Sequence, residues 1–256
     1  MTPTIPRVSL ITAAYNRRDS IEHCLASVAE QTHPSIEHIV IDGGSRDGTL
    51  DVLQAHRARL AQLISEPDRG VYDALNKGLR MTTGAVVGFL HTDDFFAAPD
   101  VVATIAERFL DPAVDGVYGD LEYVSKDAPN RVIRSWVAGS FGRYSLRSGW
   151  MPPHPTLFVR RSVYDAIGGF DLRYRIAADY HSILKIFSLP SFNAHYVPRV
   201  FTCMRMGGVS NRSIANILRK SHEDWRVLRE TGVGGAHTVV LKNLRKLPQF
   251  VRRTMR

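Results

Sequence analysis

The fold of this chain follows from Arg7-Val8-Ser9-Leu10-Ile11-Thr12-Ala13-Ala14, a stretch that reads as a buried β-strand at the start of an alternating pattern. Apolar residues then recur at helical spacing after Asp19 or Ser20, either of which is a suitable N-cap. A second strand is predicted at residues 36 to 42, and a helix from about 49 to 60. The chain therefore begins as strand, helix, strand, helix.

The same alternation continues further along the chain. Strands are predicted at residues 62 to 66, 85 to 91 and 115 to 119, and helices at about 72 to 81 and 99 to 110. This rhythm is typical of an α/β fold with a mostly parallel central sheet flanked by helices. Ligands bind such sheets beyond the carboxyl ends of the strands, where loops converge and helix N-termini direct free N–H groups outward.

Two adjacent carboxylates, Asp93 and Asp94, follow the apolar strand predicted at 85 to 91. Such neighbours repel each other by roughly 4 kcal/mol at about 4 Å and an effective dielectric of about 20, unless a cation or water lies between them. Mg²⁺ and Mn²⁺ favour oxygen ligands and share carboxylates with phosphate oxygens. The pair predicts a metal site suited to a diphosphate, although an isolated Asp-Asp is also typical of a turn before a helix.

Polar residues also follow the other predicted strands, so that four clusters meet at one rim of the sheet. A cleft built this way can accept a nucleotide, because an aromatic ring can lie against a base and a lysine can neutralise phosphate. Singly, these residues are also typical of turns and solvated helix faces. The first strand lacks a Gly-x-Gly-x-x-Gly fingerprint and the chain lacks a Walker A motif, which disfavours dinucleotide oxidoreductases and P-loop NTPases.

Four motifs, taken in order, resemble the family 2 glycosyltransferases over about residues 7 to 205. The resemblance implies a GT-A fold, a nucleotide-diphosphate-sugar donor, a divalent metal (Mg²⁺ or Mn²⁺) at a DXD-like motif, and inversion at the anomeric carbon. The motifs are Val8-Ser9-Leu10-Ile11-Thr12-Ala13-Ala14-Tyr15-Asn16, Ile39-Val40-Ile41-Asp42-Gly43-Gly44-Ser45-Arg46-Asp47-Gly48-Thr49, Glu66-Pro67-Asp68-Arg69-Gly70-Val71-Tyr72-Asp73-Ala74-Leu75-Asn76-Lys77-Gly78 and Phe89-Leu90-His91-Thr92-Asp93-Asp94.

The same resemblance implies roles for single residues in the donor site. One departure matters: many relatives have a second acidic residue after the position of Asp42, where this chain has Gly43, so the donor base stays open. The implied roles are Thr12, Tyr15 and Asp42 at the nucleoside, Asp68 and Lys77 in the nucleotide pocket, Asp93 at the ribose and Asp94 at the metal, with Asn16 and Ser45 completing the rim.

Asp179 is the candidate general base, because it lies in a segment that resembles the acceptor-side half of the family, whose base occupies this position. A carboxylate within hydrogen-bond reach of an acceptor hydroxyl can take its proton. The structural alternative is an N-cap of a helix predicted at 180 to 188. Weaker candidates, each compatible with a structural role, are His154 for the acceptor or diphosphate pocket and Asp120 and Glu122 for orienting the donor sugar.

The 256 residues are sufficient for one α/β domain and an extension. The net charge is +8, and Ala236 to Arg256 contains six basic residues and no acidic one. Apolar residues keep a helical spacing through this region, and Pro248 is expected to kink or restart the helix. The predicted organisation is a glycosyltransferase domain at residues 1–212 and a basic amphipathic helical extension at 213–256.

The partners and location of the chain follow from its charge and apolar pattern. No apolar run is long enough to cross a bilayer and no signal-peptide core is present, so we expect a cytoplasmic chain. The basic extension predicts reversible, peripheral binding to anionic lipid on the inner face of the plasma membrane, or else a solvated helix packed on the domain. Nucleic acid is not expected as a partner. Cys24 and Cys203 are expected to be reduced packing residues.

The expected function is that of a hexosyltransferase-like enzyme, which moves a sugar to a hydroxyl of a glycan or lipid-linked acceptor in cell-envelope polysaccharide or glycolipid synthesis. Two alternatives stay open. A binding protein without catalysis would keep the nucleotide pocket alone. A sugar nucleotidyltransferase usually has a glycine-rich basic loop after its first strand, where this chain has Ala13-Ala14-Tyr15-Asn16-Arg17-Arg18.

Overall fold

The computed structural model describes residues 5–142, 144–206 and 214–250. The strands are β1 (Val8–Ala14), β2 (Ile36–Asp42), β3 (Gln62–Ser65), β4 (Val86–Phe89), β5 (Asp94–Phe96), β6 (Gly116–Val124), β7 (Val132–Trp136), β8 (Phe158–Arg160) and β9 (Ala194–Arg205). The helices are α1 (Arg18–Ala29), α2 (Thr49–Ala55), α3 (Val71–Met81), α4 (Val101–Arg108), α5 (Arg161–Ile167), α6 (Ala178–Phe187), α7 (Ile214–Glu230) and α8 (Ala236–Leu244).

All nine of these strands belong to one sheet, which confirms the α/β fold. Its order is β3-β2-β1-β4-β8-β6-β9-β5, and β7 pairs with β6 outside this path. The first four strands in that order are parallel, as the strand–helix alternation predicts. The remaining half is mixed: β6 and β9 pair in parallel, whereas β8, β5 and β7 pair antiparallel to their neighbours.

The two faces of the sheet are covered by different helices. Helices α1, α2 and α4 bury their apolar residues on one face, and α3, α5, α6 and α7 bury theirs on the other. Side chains alternate along β1, so Leu10 joins the first core and Ile11 the second.

Gly88 lies in the middle of β4, where a Cβ atom would come within 2.2 Å of the Phe158 ring. Cys24 and Cys203 are both buried, and neither forms a disulfide within the described residues, as expected.

The structure corrects the prediction that a strand ends on the two carboxylates. Strand β4 ends at Phe89, and Asp94 is the first residue of a separate short strand, β5. The backbone turns between them, where Asp94 N donates to His91 O at 2.9 Å. Pairing of β5 with β9 then draws Asp94 into the sheet and leaves Asp93 in the turn.

Helix starts also differ from the prediction. Helix α1 begins at Arg18, so neither Asp19 nor Ser20 is its N-cap. Helix α6 begins at Ala178 with Ala177 at the N-cap, which places Asp179 inside the first turn. The helix predicted at 49 to 60 ends at Ala55 and continues as a 3₁₀ turn.

The predicted C-terminal extension forms α7 and α8, followed by a 3₁₀ turn that contains Pro248. Val227 and Leu228 of α7 are fully buried in the same core as α6. Within the described residues, no helix is both long and apolar enough to span a bilayer. Residues 213 and 251–256 of the predicted extension lie outside the described residues.

The buried ring of His38 in β2 makes the stability of the fold depend on pH. Burial lowers the pKa of His38 to about 4, and the Thr12 hydroxyl lies 3.0 Å from its Nε2. An unfolded chain would protonate this group near its ordinary pKa of about 6.5, so the unfolded state binds more protons between these values. The contribution of neutral His38 is therefore present above about pH 6.5 and is lost as the pH falls toward 4.

We expect the free energy of unfolding to lose about 2 kcal/mol through His38 alone between pH 7 and about pH 4.5. Urea unfolding of the wild type and of His38→Gln across this range measures that contribution as the difference between the two pH profiles. Profiles that run parallel would show that His38 contributes nothing to the pH dependence.

Candidate active site

The loops after β1 and β2 are tied together by Asn16 and Ser45. Asn16 has a left-handed backbone with φ of 51°. Its N–H donates to Ser45 Oγ at 2.8 Å, and its side-chain oxygen accepts from Arg46 N at 2.9 Å. Asp42 is fully buried at the end of β2 and accepts from Ser45 N at 3.1 Å and Ser65 Oγ at 2.6 Å. These residues fix the shape of the rim.

Of the three residues predicted to hold a nucleoside, only Tyr15 presents a large exposed surface. Its side chain is 60% exposed at the rim. Thr12 is fully buried beneath the rim, against His38, and Asp42 is fully buried as well. The reason is the strand pleat, which points Thr12 into the core.

Lys77 and Asp68 meet at the same rim from either side of the loop that precedes α3. Lys77 Nζ lies 2.5 Å from Asp68 Oδ1 and 2.7 Å from Glu66 Oε1, and donates to Pro67 O at 3.1 Å. Asp68 also explains Gly43, because a Cβ atom there would lie 3.0 Å from Asp68 Oδ2 and 3.3 Å from the Tyr15 ring. An acidic side chain at position 43 would therefore displace one of these two residues.

Asp93 and Asp94 have very different surroundings. The Asp93 side chain is 33% exposed, and its Oδ2 lies 3.4 Å from Arg17 Nε. Asp94 is 1% exposed, its Oδ2 has no hydrogen-bond partner within the described residues, and Cys24 and Arg205 lie within its electrostatic reach. Burial, reinforced by the charge of Asp93, raises the pKa of Asp94 well above its ordinary value. Asp93 is thus the carboxylate open to solvent.

Asp179 lies in the first turn of α6 and is held by Tyr72 of α3. The Tyr72 hydroxyl contacts both Ile176 O at 2.7 Å and Asp179 Oδ1 at 3.2 Å. Burial lowers the pKa of His91, while the carboxylates of Asp179 and Asp93 act to raise it. Both carboxylates are therefore within electrostatic reach of one imidazole ring, and the structure brings them to one region of the molecule.

The three weaker candidates lie in or beside the core. His154 is buried with its ring stacked on Phe89 at a centroid distance of 5.3 Å, and burial lowers its pKa to about 4. Its ring centroid is also 5.9 Å from that of His91, the imidazole that lies within electrostatic reach of Asp179. Asp120 is buried and accepts from Ala138 N at 2.8 Å and Tyr196 Oη at 2.9 Å, and Glu122 is buried in β6. Asp120 therefore fixes a loop.

Three residues of this region were not predicted from the sequence. Arg17 follows the predicted Asn16, and His91 precedes the predicted Asp93 by two residues. This spacing could have indicated that His91 and Asp93 share a surface. Tyr72 gave no such signal, because its contact with Asp179 joins residues 107 apart in the chain. Only the packing of α3 against α6 brings them together.

A second group of acidic and imidazole side chains lies between α6 and α7. One ligand atom each from Asp171, His181 and Glu230 come within 4.8 Å of one another. Arg173 already pairs with Asp171 Oδ2 at 2.7 Å and Glu230 Oε2 at 3.2 Å. A guanidinium therefore already supplies the positive charge in this cluster.

Comparison with known proteins identifies the family of this chain. The family model described as glycosyl transferase family 2 matches residues 9–172, which is more than half of the chain. The chain belongs to glycosyl transferase family 2. This confirms the resemblance seen in the four sequence motifs and establishes that the chain is a glycosyltransferase.

This glycosyltransferase is similar along nearly its whole length to a protein of Mycobacterium bovis named PGL/p-HBAD biosynthesis glycosyltransferase. The two are 31% identical over 261 residues, which cover 98% of this chain and 94% of the relative.

Two solved structures share the fold. A mannosyltransferase from Pyrobaculum calidifontis, in complex with GDP-Man and Mn²⁺, has a TM-score of 0.66 at 22% identity and covers 98% of this chain and 76% of its own. S. aureus TarS in complex with UDP-GlcNAc has a TM-score of 0.65 at 18% identity and covers 89% of this chain and 66% of its own. The predicted GT-A fold is thereby confirmed.

Proposed function

We propose that this family 2 glycosyltransferase transfers a sugar from a nucleotide-diphosphate sugar to a hydroxyl of a glycan or lipid-linked acceptor, with inversion at the anomeric carbon. The observation that supports this most is that two carboxylates, Asp93 and Asp179, both lie within electrostatic reach of the His91 ring. A donor diphosphate and an acceptor hydroxyl need different groups within one cleft. Asp93 is proposed to serve the diphosphate, and Asp179 to serve the acceptor hydroxyl.

Asp179 is the proposed general base. The acceptor oxygen forms a bond to the anomeric carbon as the bond from that carbon to the diphosphate breaks, and the hydroxyl proton passes to the Asp179 carboxylate. A base placed in this way contributes typically 10²- to 10⁴-fold to the rate. The N–H of Tyr180 donates to Oδ1 at 2.7 Å, and the Tyr72 hydroxyl, whose one proton is shared with Ile176 O, lies 3.2 Å from the same oxygen. These contacts hold Oδ1, and Oδ2 is proposed to take the acceptor proton.

The donor site is proposed at the rim formed by Tyr15, Asn16, Asp42, Ser45, Asp68 and Lys77. The exposed ring of Tyr15 offers a stacking surface for a base, and Lys77 is the cation available to a diphosphate. Lys77 now pairs with Asp68 and Glu66, so a diphosphate would have to share it. A solved neighbour bound to UDP-GlcNAc and another bound to GDP-Man support a nucleotide-sugar donor without choosing its base.

The proposed metal ligand is Asp93 rather than the predicted Asp94. Carboxylate oxygen suits Mg²⁺ and Mn²⁺, and the Asp93 side chain is 33% exposed, so an ion at the rim could reach it by displacing its contact with Arg17. The burial of Asp94 beside Cys24 argues against direct contact with an ion at the rim. When bound, the metal supplies Lewis-acid stabilisation of the charge on the leaving diphosphate.

A role in glycolipid or cell-envelope polysaccharide synthesis, at the inner face of the plasma membrane, is proposed from the relative's name and the shape of the extension. Helix α8 and the turn after it expose apolar side chains, of which Leu247 is 62% exposed. Not all six basic residues can serve a membrane, because Lys242 is buried against Asp224 and Arg245 donates to Ser148 O at 2.9 Å. Arg252, Arg253 and Arg256 lie outside the described residues.

The first test of this function is a thermal-shift screen of UDP-, GDP- and dTDP-sugars with Mn²⁺, followed by measurement of nucleoside-diphosphate release. We expect one nucleotide class to raise the melting temperature, because a ligand bound only by the native state stabilises it. We expect Asp179→Asn to bind that ligand normally and to lose turnover by about 10²-fold or more. Turnover close to that of the wild type would exclude Asp179 as the base.

The metal assignment is tested by comparing two adjacent variants. Asp93→Asn should remove the extra thermal shift that Mn²⁺ adds to bound nucleotide, because it takes away the exposed carboxylate charge. Asp94→Asn is the matched control and should keep that shift, since the buried Asp94 carboxyl does not reach an ion at the rim. Loss of the Mn²⁺-dependent shift in Asp94→Asn, with the shift kept in Asp93→Asn, would instead identify Asp94 as the metal ligand.

Membrane binding is tested by flotation with anionic phosphatidylserine vesicles at low and high salt. We expect association at low salt only, and we expect Leu244→Asp/Leu247→Asp to abolish it, because exposed apolar side chains insert at the lipid boundary. Leu110→Asp, an exposed leucine at the end of α4, is the control and should leave flotation intact. Wild-type protein that stays with the soluble fraction at low salt would contradict the proposal.

A further inference from the structure

Helix α7 carries two neighbouring buried carboxylates, Glu223 and Asp224. They are 7% and 2% exposed, although acidic side chains are rarely buried without a partner. Successive residues of a helix point in different directions, so each carboxylate reaches a different element. Glu223 reaches the segment that leads into α6, and Asp224 reaches α8.

Glu223 binds three consecutive backbone N–H groups just before α6. Its Oε2 accepts from Ile176 N at 2.8 Å and Ala177 N at 2.9 Å, and its Oε1 accepts from Arg175 N at 3.3 Å. Ala177 is the N-cap of α6 and has no side chain that can cap. A helix N-terminus leaves N–H groups without intrahelical partners and favours nearby negative charge. Glu223 thus supplies, from another helix, a carboxylate at the N-cap position, where Ala177 offers no side-chain acceptor.

The segment capped by Glu223 is the one that carries Asp179. Asp179 follows the N-cap by two residues, and Tyr72 holds the same segment by contacting Ile176 O at 2.7 Å. The backbone from 175 to 179 is therefore held on its N–H side by α7 and on its carbonyl side by α3. The position of the Asp179 carboxylate depends on both attachments.

Asp224 keeps α7 itself in place. It pairs with Lys242 Nζ of α8 at 2.9 Å, and the same ammonium lies 3.2 Å from the centroid of the Tyr180 ring. Helix α8 also approaches the loop before residue 150 closely, since a Cβ atom at Gly149 would lie 2.4 Å from Lys242 N. Separating the two partners of a buried ion pair leaves each charge uncompensated. The Asp224–Lys242 pair therefore favours the arrangement in which α7 and α8 stay in contact.

We propose that Glu223 is a positioning residue for Asp179, and that α7 and α8 are part of the catalytic unit. The proposal rests on the assignment of Asp179 as the general base. Glu223 touches neither donor nor acceptor in this account. It sets where the carboxylate of Asp179 stands when the acceptor hydroxyl approaches.

The test compares Glu223→Ala, Glu223→Gln, Glu230→Gln and Asp179→Asn. Glu230 is the matched control, because it lies on the same helix and binds the side chains of Tyr174 and Arg173 but no backbone group of this segment. Release of nucleoside diphosphate gives kcat, and calorimetry with UDP or GDP and Mn²⁺ gives the nucleotide Kd. Thermal melts show whether each variant is folded.

We expect Glu223→Ala to lower kcat by about 100-fold while the nucleotide Kd changes by less than about twofold, since misplacing a reacting group by about 1 Å has an effect of that size. Glu223→Gln should lie between Glu223→Ala and the wild type, because its amide oxygen can still accept from Ile176 and Ala177. Glu230→Gln should keep kcat within about threefold. If Glu223→Ala does not fold, the Glu223→Gln result decides.

The outcomes separate this inference from the function on which it rests. A Glu223→Gln variant with wild-type kcat, beside an inactive Asp179→Asn, would overturn the positioning role and keep the base. Equal losses of kcat and nucleotide affinity in the Glu223 variants would also overturn it, because they would indicate a general effect on the fold. An active Asp179→Asn would instead remove the proposed base.

Discussion

The carboxyl end of the sheet gathers several carboxylates into a small space, and their mutual repulsion is the constraint that shapes this region. Unpaired, such charges would oppose folding by several kcal/mol at close range. Four of these carboxylates have donors beside them: Asp42 has Ser45 and Ser65, Asp68 has Lys77, Asp93 has Arg17, and Asp179 has Tyr72. Two cations, Lys77 and Arg17, therefore lie among the carboxylates of the rim.

A second set of buried charges joins the C-terminal helices to the rest of the molecule. Glu223 and Asp224 leave α7 in different directions, one to the backbone before α6 and the other to Lys242 of α8. Charges buried in this way contribute little net stability, but they are compensated only in the geometry that keeps each one with its partner. These contacts connect α7 and α8 to the turn that carries Asp179, and all of these elements lie beyond the matched family region, residues 9–172.

Much of the fold and part of the site could be predicted from the sequence. The bounds predicted for β2 agree with the structure, because the apolar residues Ile39-Val40-Ile41 lead directly to Asp42. The predicted start of α1 was wrong, because Arg17 N donates to Thr49 Oγ1 at 2.7 Å and the first residue of α2 replaces the local cap. The environments of Asp93 and Asp94 could not be predicted either, since adjacent carboxylates look alike until the pairing of β5 with β9 buries one of them.

The sequence by itself determined the alternation of strands and helices, the family, and the rim at which the polar residues gather. These follow from local periodicity and from motifs that are contiguous in the chain. Only the tertiary structure decided that Thr12 is inside, that Asp93 is the exposed carboxylate, and that Tyr72 and Glu223 hold the segment of Asp179. Those contacts join residues far apart in the chain, and their geometry is fixed by packing, which local sequence does not encode.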